Sequence, residues 1–76
     1  MAKLNMKATG ELLQIKCQNA GYKPKDLSIL LNIDTSTPYY WFSGKVMPNW
    51  NIMVTLSRLL GEKIDDLLVV QEDEDE

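Results

Sequence analysis

The 76-residue chain has no histidine and a single cysteine, Cys17. Together these scarcities exclude a Cys/His zinc centre, an internal disulfide and any nucleophilic set that uses histidine as its base. No glycine-rich phosphate loop occurs, so neither an enzyme nor a cofactor or metal site is expected. Long hydrophobic runs are also missing. Apolar residues make up 45% of the chain, but none of their blocks approaches the ~18 residues of a membrane span. The opening MAKLNMKATG lacks the apolar core of a signal peptide. These features predict one small domain away from membranes, in a reducing, cytoplasmic compartment.

Acids are scarce in the first third of the chain and bases are absent from its last six residues, with a nearly balanced middle between them. The net charge of −3 is dominated by residues 71–76, QEDEDE, which hold five acids and no base. Residues 1–70 carry eight bases against six acids, a net of +2. Five of those bases, Lys3, Lys7, Lys16, Lys23 and Lys25, fall in the first 25 residues beside one acid, Glu11. A mildly basic N-terminal third suits phosphate contact, although +2 is low for a DNA binder.

Residues 1–5 read as a flexible N-terminus, residues 6–70 as the domain, and residues 71–76 as a disordered acidic tail. The tail serves solubility or competes with DNA for the basic side of the domain. A first helix is expected from Met6 to Ala20, with Ala8, Leu12, Leu13, Lys16 and Ala20 on one face. Gly21 suits its end, and Lys16 is expected to lay its stem on the core and reach outward with its amine. Pro24 stands at the first position of a second helix, whose buried stripe would be Leu27, Leu30 and Leu31. Asn32 tolerates a left-handed turn and Ile33 plugs the core below it. Asp34 is the expected N-cap of a third helix over about 35–43, with Pro38 loosening its first turn; a cap at Thr37 is the competing arrangement. Asn49 caps a fourth helix carrying Trp50, Met53, Val54, Leu56, Leu59 and Leu60, which Gly61 ends. Residues 64–70 predict a short fifth helix, with Ile64, Leu67 and Leu68 at the base of the core. Trp41, Phe42 and Trp50 are expected in that core. Two short helices joined by a tight turn, over residues 24–43, are the outline of a helix-turn-helix.

From Gly21 through Leu27, Ile33, Gly44 and Pro48 to Leu60-Gly61 and Ile64-Asp65-Asp66-Leu67-Leu68, the chain resembles the lambda-repressor/Cro type of helix-turn-helix domain. The stretch from Gly44 to Leu68 is the more specific part. The resemblance implies an all-α, five-helix fold of bacterial or phage origin that binds DNA. Four positions depart from the family pattern. Pro24 stands where a glutamine often reaches phosphate. Phe42 replaces the glutamate that pairs with a basic residue on helix one, where Lys16 is the nearest candidate. Pro38 fills the buried aliphatic position of helix three. The outward residues of that helix include no Arg, Lys, Asn or Gln, the side chains that make the strongest bidentate base contacts.

On that resemblance, the base-contacting candidates are Thr35, Ser36, Thr37, Tyr39 and Tyr40, and the phosphate-contacting candidates are Lys23, Lys25, Ser43 and Lys45. The competing roles are ordinary ones: helix capping for the hydroxyls, solvation for the lysines, and a protein-binding patch for the tyrosines. The expected function is a sequence-specific transcriptional regulator occupying double-stranded operator DNA, as a homodimer on two half-sites. The alternative is a degenerate helix-turn-helix whose tyrosine-rich face binds a protein, as an antirepressor, an antitoxin-like module or a polymerase-binding module would.

Overall fold

The computed structural model describes residues 2–72. In chain order it contains β1 (Ala2–Leu4), α1 (Met6–Asn19), α2 (Pro24–Leu31), α3 (Thr37–Phe42), α4 (Trp50–Leu60), a 3₁₀ turn (Ile64–Leu67) and β2 (Val70–Glu72). The domain is mostly helical, as the residue pattern implies. The expected fifth helix is the single 3₁₀ turn, which ends where Leu68 turns extended. The expected flexible N-terminus is instead a strand, pairing antiparallel with β2 so that Ala2 faces Glu72, Lys3 faces Gln71 and Leu4 faces Val70. Gln71 and Glu72 thus belong to the ribbon rather than to a disordered tail; residues 73–76 lie outside the described residues.

Local signals set the helix ends. The Asn5 carboxamide oxygen accepts the Ala8 N–H at 3.0 Å and caps α1. Asn49 does the same for α4, accepting from Ile52 at 2.9 Å. Each thereby satisfies a donor that the first helical turn leaves unpaired. Pro24 opens α2, and the Asp26 carboxylate folds back to accept the Lys23 N–H at 2.8 Å. At the end of α1, Tyr22 N–H reaches Cys17 O at 2.8 Å and Gly21 N–H reaches Gln18 O at 3.0 Å, while Gly21 takes φ +85°. That pair of bonds closes a helix only when the residue between helix and loop is left-handed.

The core comprises Leu13, Cys17, Leu27, Trp41, Phe42, Met53, Leu56 and Leu67, with Tyr22, Leu31, Ile33, Ile64 and Leu68 packed around it. The buried side of α1 runs through Thr9, Gly10, Leu13 and Cys17. It is rotated from the predicted face, so Lys16 lies at its border. There the ammonium pairs with Glu62 at 3.1 Å, both side chains about one-third exposed. Two further expectations are corrected. Leu30 is 53% exposed, so only Leu27 and Leu31 of the predicted stripe turn inward, and Trp50 is 68% exposed rather than in the core. Trp50 is the first residue of α4, where the chain is still arriving from the loop.

Gly10 sits where α1 presses on the end of α3. A Cβ there would stand 2.2 Å from Trp41 O and 2.8 Å from Phe42 O, both backbone atoms that cannot swing away. Gly44, just past α3, faces back: its Cβ would meet Lys7 Cα at 2.7 Å, and its φ is +81°. Above these helices the ribbon is fastened by buried Thr9. Its hydroxyl accepts the Val69 N–H at 2.9 Å and donates to Val69 O at 3.4 Å. Asn5 adds a backbone bond to Val69 O at 2.8 Å and a side-chain bond to Gln71 at 2.9 Å.

Gly10→Ala is therefore expected to cost about 3 kcal/mol through overpacking against rigid backbone. Gly21→Ala, with open space around the new methyl, is expected to cost only about 1 kcal/mol for its left-handed backbone. Urea denaturation of the two variants measures both. Equal losses would remove the steric explanation of Gly10.

Candidate nucleic-acid interface

The sequence candidates gather on α2, α3 and the segments around them. The turn between the helices is built by Asn32, left-handed at φ 56° and ψ 53°, and by Ile33, whose N–H bonds to Ser28 O at 3.0 Å. An asparagine can take this conformation because its short polar side chain is compatible with it. Ile33 then drops against the core, which fixes where the chain re-emerges.

The third helix begins later than expected. Asp34 is not its N-cap. Its carboxylate oxygen accepts both the N–H and the hydroxyl of Ser36, at 2.9 and 2.8 Å, making a side-chain-closed turn ahead of the helix. Thr37 N–H bonds to Asp34 O at 3.0 Å. Ser36 is the N-cap, so Pro38 falls in the first turn, where its missing N–H has no intrahelical partner to lose. Pro38 needed a later start than an Asp34 cap allows. The two Ser36 hydrogen bonds hold the Asp34 carboxyl below the usual carboxylate range, so it is anionic at neutral pH.

Burial divides α3 cleanly. Pro38, Trp41 and Phe42 are buried, while Tyr39 and Tyr40 are 59% and 46% exposed. Thr35, Ser36 and Ser43 are exposed and Thr37 is half-buried. Ser36 is thus both exposed and held by Asp34, and Ser43 donates its hydroxyl to Tyr40 O at 3.1 Å. Lys45 lies beyond the helix, its ammonium 5.6 Å from the centre of the Tyr40 ring, within cation–π range. Lys23 and Lys25 are exposed at the start of α2. The structure therefore joins Tyr40, Ser43 and Lys45 in one group, and Asp34, Ser36 and Thr37 in a second.

Three exposed apolar residues in this region, Ile29 (70%), Leu30 and Val46 (45%), were not among the candidates. The signal for Ile29 and Leu30 was present: an eight-residue helix with apolar residues at four of the five positions 27–31 cannot bury all of them on one face. No helix among the described residues is long and apolar enough to cross a membrane. No protein-family model, curated protein or solved structure matches this chain.

The Asp34 turn has a pH signature. Because its folded pKa is depressed, its stabilising contribution is present above the unfolded value and is lost as pH falls through the folded one. Carbon-detected NMR titration should give Asp34 a midpoint below that of an ordinary aspartate, and Ser36→Ala should raise it. An unchanged midpoint in Ser36→Ala would show that the hydroxyl contributes nothing.

Proposed function

We propose that the protein is a sequence-specific DNA-binding regulator of the lambda-repressor/Cro type, with α2 and α3 as its helix-turn-helix and α3 in the major groove. The observation that carries this reading is the one-sided burial of α3. Three of its six residues anchor it, and the opposite side offers tyrosines, preceded by exposed Thr35 and Ser36. A helix held this rigidly from behind can present side chains to base edges in fixed register. In this arrangement Thr35, Ser36 and Thr37 reach bases by hydroxyl or methyl contact. Lys23, Lys25 and Lys45 neutralise phosphates on either flank, and Ser43 and the tyrosine hydroxyls add neutral phosphate contacts. Binding as a homodimer to two half-sites about one DNA turn apart fits the small area that one such domain covers. A protein of this kind works in the cytoplasm.

A second reading is favoured by one specific observation: Ile29, Leu30, Tyr39 and Tyr40 are all more than two-fifths exposed on the same helix pair. Exposed apolar and aromatic side chains of this kind are what a protein-binding module offers to a repressor, toxin or polymerase subunit.

Selection from a random duplex library, followed by anisotropy titrations across salt, separates the two. The DNA reading expects an enriched sequence and a log–log salt slope of about −0.9 per phosphate contact. Lys23→Gln, Lys25→Gln and Lys45→Gln should each flatten that slope by about 0.9. If no sequence is enriched and no affinity registers near about 50 mM salt, where electrostatic binding is strong, the DNA reading fails. A protein captured through Ile29 and Leu30 would then support the second.

A further inference from the structure

Where the end of α1 meets the start of α2, the surface opens into a cavity of ≈ 320 Å³. Cys17 and Phe42, 1% and 8% exposed, form its floor. Tyr22 and Pro24 line it from the α1–α2 connection, and Gln14 and Gln18 bring carboxamides from α1. Among the lining residues Lys23 alone carries a charge, and it is exposed, so it belongs at the mouth. Burial pushes the Cys17 thiol up to about 11, so the floor is uncharged at physiological pH.

The size lies within the range of small-molecule sites, and the apolar floor offers water few hydrogen-bond partners. Two aromatic rings, Tyr22 and Phe42, favour a flat ring as occupant. Lys23 is the one charged lining residue, while the Asp26 carboxylate outside the lining is tied to the Lys23 N–H at 2.8 Å; the ammonium favours one anionic group on that ring. A neighbouring hollow of ≈ 410 Å³ shares Gly21 and Tyr22 but is lined by Asp26, Ile29 and Leu30. Its charge is of the opposite sign, so it does not suit the same molecule.

We propose that the first cavity binds a small aromatic monocarboxylate, its ring resting on Cys17 and Phe42 and its carboxylate held by Lys23. The site stands on its own lining and does not depend on DNA binding. Its consequence for DNA rests on the reading above. Lys23 is one of the phosphate-contacting candidates and Phe42 is the last residue of α3, so an occupied cavity takes a cation away from the duplex.

Titration of the ¹⁵N-labelled chain with indole-3-acetate, indole-3-acetamide and tryptamine tests the site, the three probes sharing a ring and differing in charge. Amide shifts are expected at Gln14, Cys17, Tyr22 and Phe42, with indole-3-acetate binding on the order of 1 mM or tighter, as befits so small a ligand. The acetate should bind about threefold more tightly than the acetamide, the size of effect that an exposed ion pair supplies. Tryptamine should bind most weakly. Lys23→Gln should abolish the preference and keep acetamide binding, and Gln14→Trp should fill the cavity and abolish all three. Absent shifts at these residues, equal binding of the three probes, or shifts confined to Ile29 and Leu30 would overturn the proposal. Indole-3-acetate should also weaken duplex binding by the unmodified chain and not by Lys23→Gln. Cavity binding without that effect would overturn the coupling and leave the site.

Discussion

The backbone of α1 lies against the backbone of α3, with no side chain between them. Gly10 admits the carbonyls of Trp41 and Phe42, and Gly44 admits the first turn of α1. This approach fixes both the depth and the tilt of α3. With the end of α3 held, Trp41 and Phe42 must point into the core, and Tyr39 and Tyr40 must point out. A helix of six residues is too short to keep its own conformation in water, so its order derives from this contact and from the turn before it. The surface hydroxyls, the Lys45–Tyr40 contact and the cavity floor at Phe42 all inherit their positions from two residues without side chains.

Features that act within four or five residues were readable in the sequence. Asn49, Asn32, Gly21 and Gly61 mark helix ends through bonds to their near neighbours, Pro24 marks one through its fixed φ and missing N–H, and each stands where the chain's pattern places it. Features that depend on distant partners were not. The pairing of Ala2 with Glu72 spans nearly the whole described chain, and three-residue strands carry too little alternation to announce it. Gly10 reads as a weak point in a helix until the backbone opposite it is known. Leu30 and Trp50 read as core because they are large and apolar, yet a core this small has room for only some such residues. In the candidate site, exposure of Tyr39, Tyr40 and the lysines followed from residue type and spacing. The role of Asp34 did not, since its choice between capping a helix and closing a turn depends on where Pro38 can be tolerated.

Within the DNA reading, affinity and discrimination belong to different residues. The exposed side of α3 carries no cation of its own. Among the candidates, the cations stand at its flanks: Lys45 beyond its end, and Lys23 and Lys25 at the start of α2. Long-range attraction therefore comes from the flanks and is weakened by salt, while recognition rests on hydroxyl and methyl groups that make single contacts rather than bidentate ones. Asp34 adds a fixed negative charge just ahead of α3. That charge penalises any docking pose that brings a phosphate to the start of α3, and so restricts how the domain can lie across the groove.

The ribbon also brings together residues that begin and end the described chain. Ala2 pairs with Glu72, while Thr9 and Asn5 fasten the connection at Val69. A unit whose two ends meet at one place can be opened elsewhere and rejoined there by a short linker, or spliced as a whole into a surface loop of another protein. The segment between Gly44 and the Asn49 cap, outside any helix, is the place to make the new ends, provided that both of these residues keep their contacts. The order of the elements along the chain is thus separable from their arrangement in space.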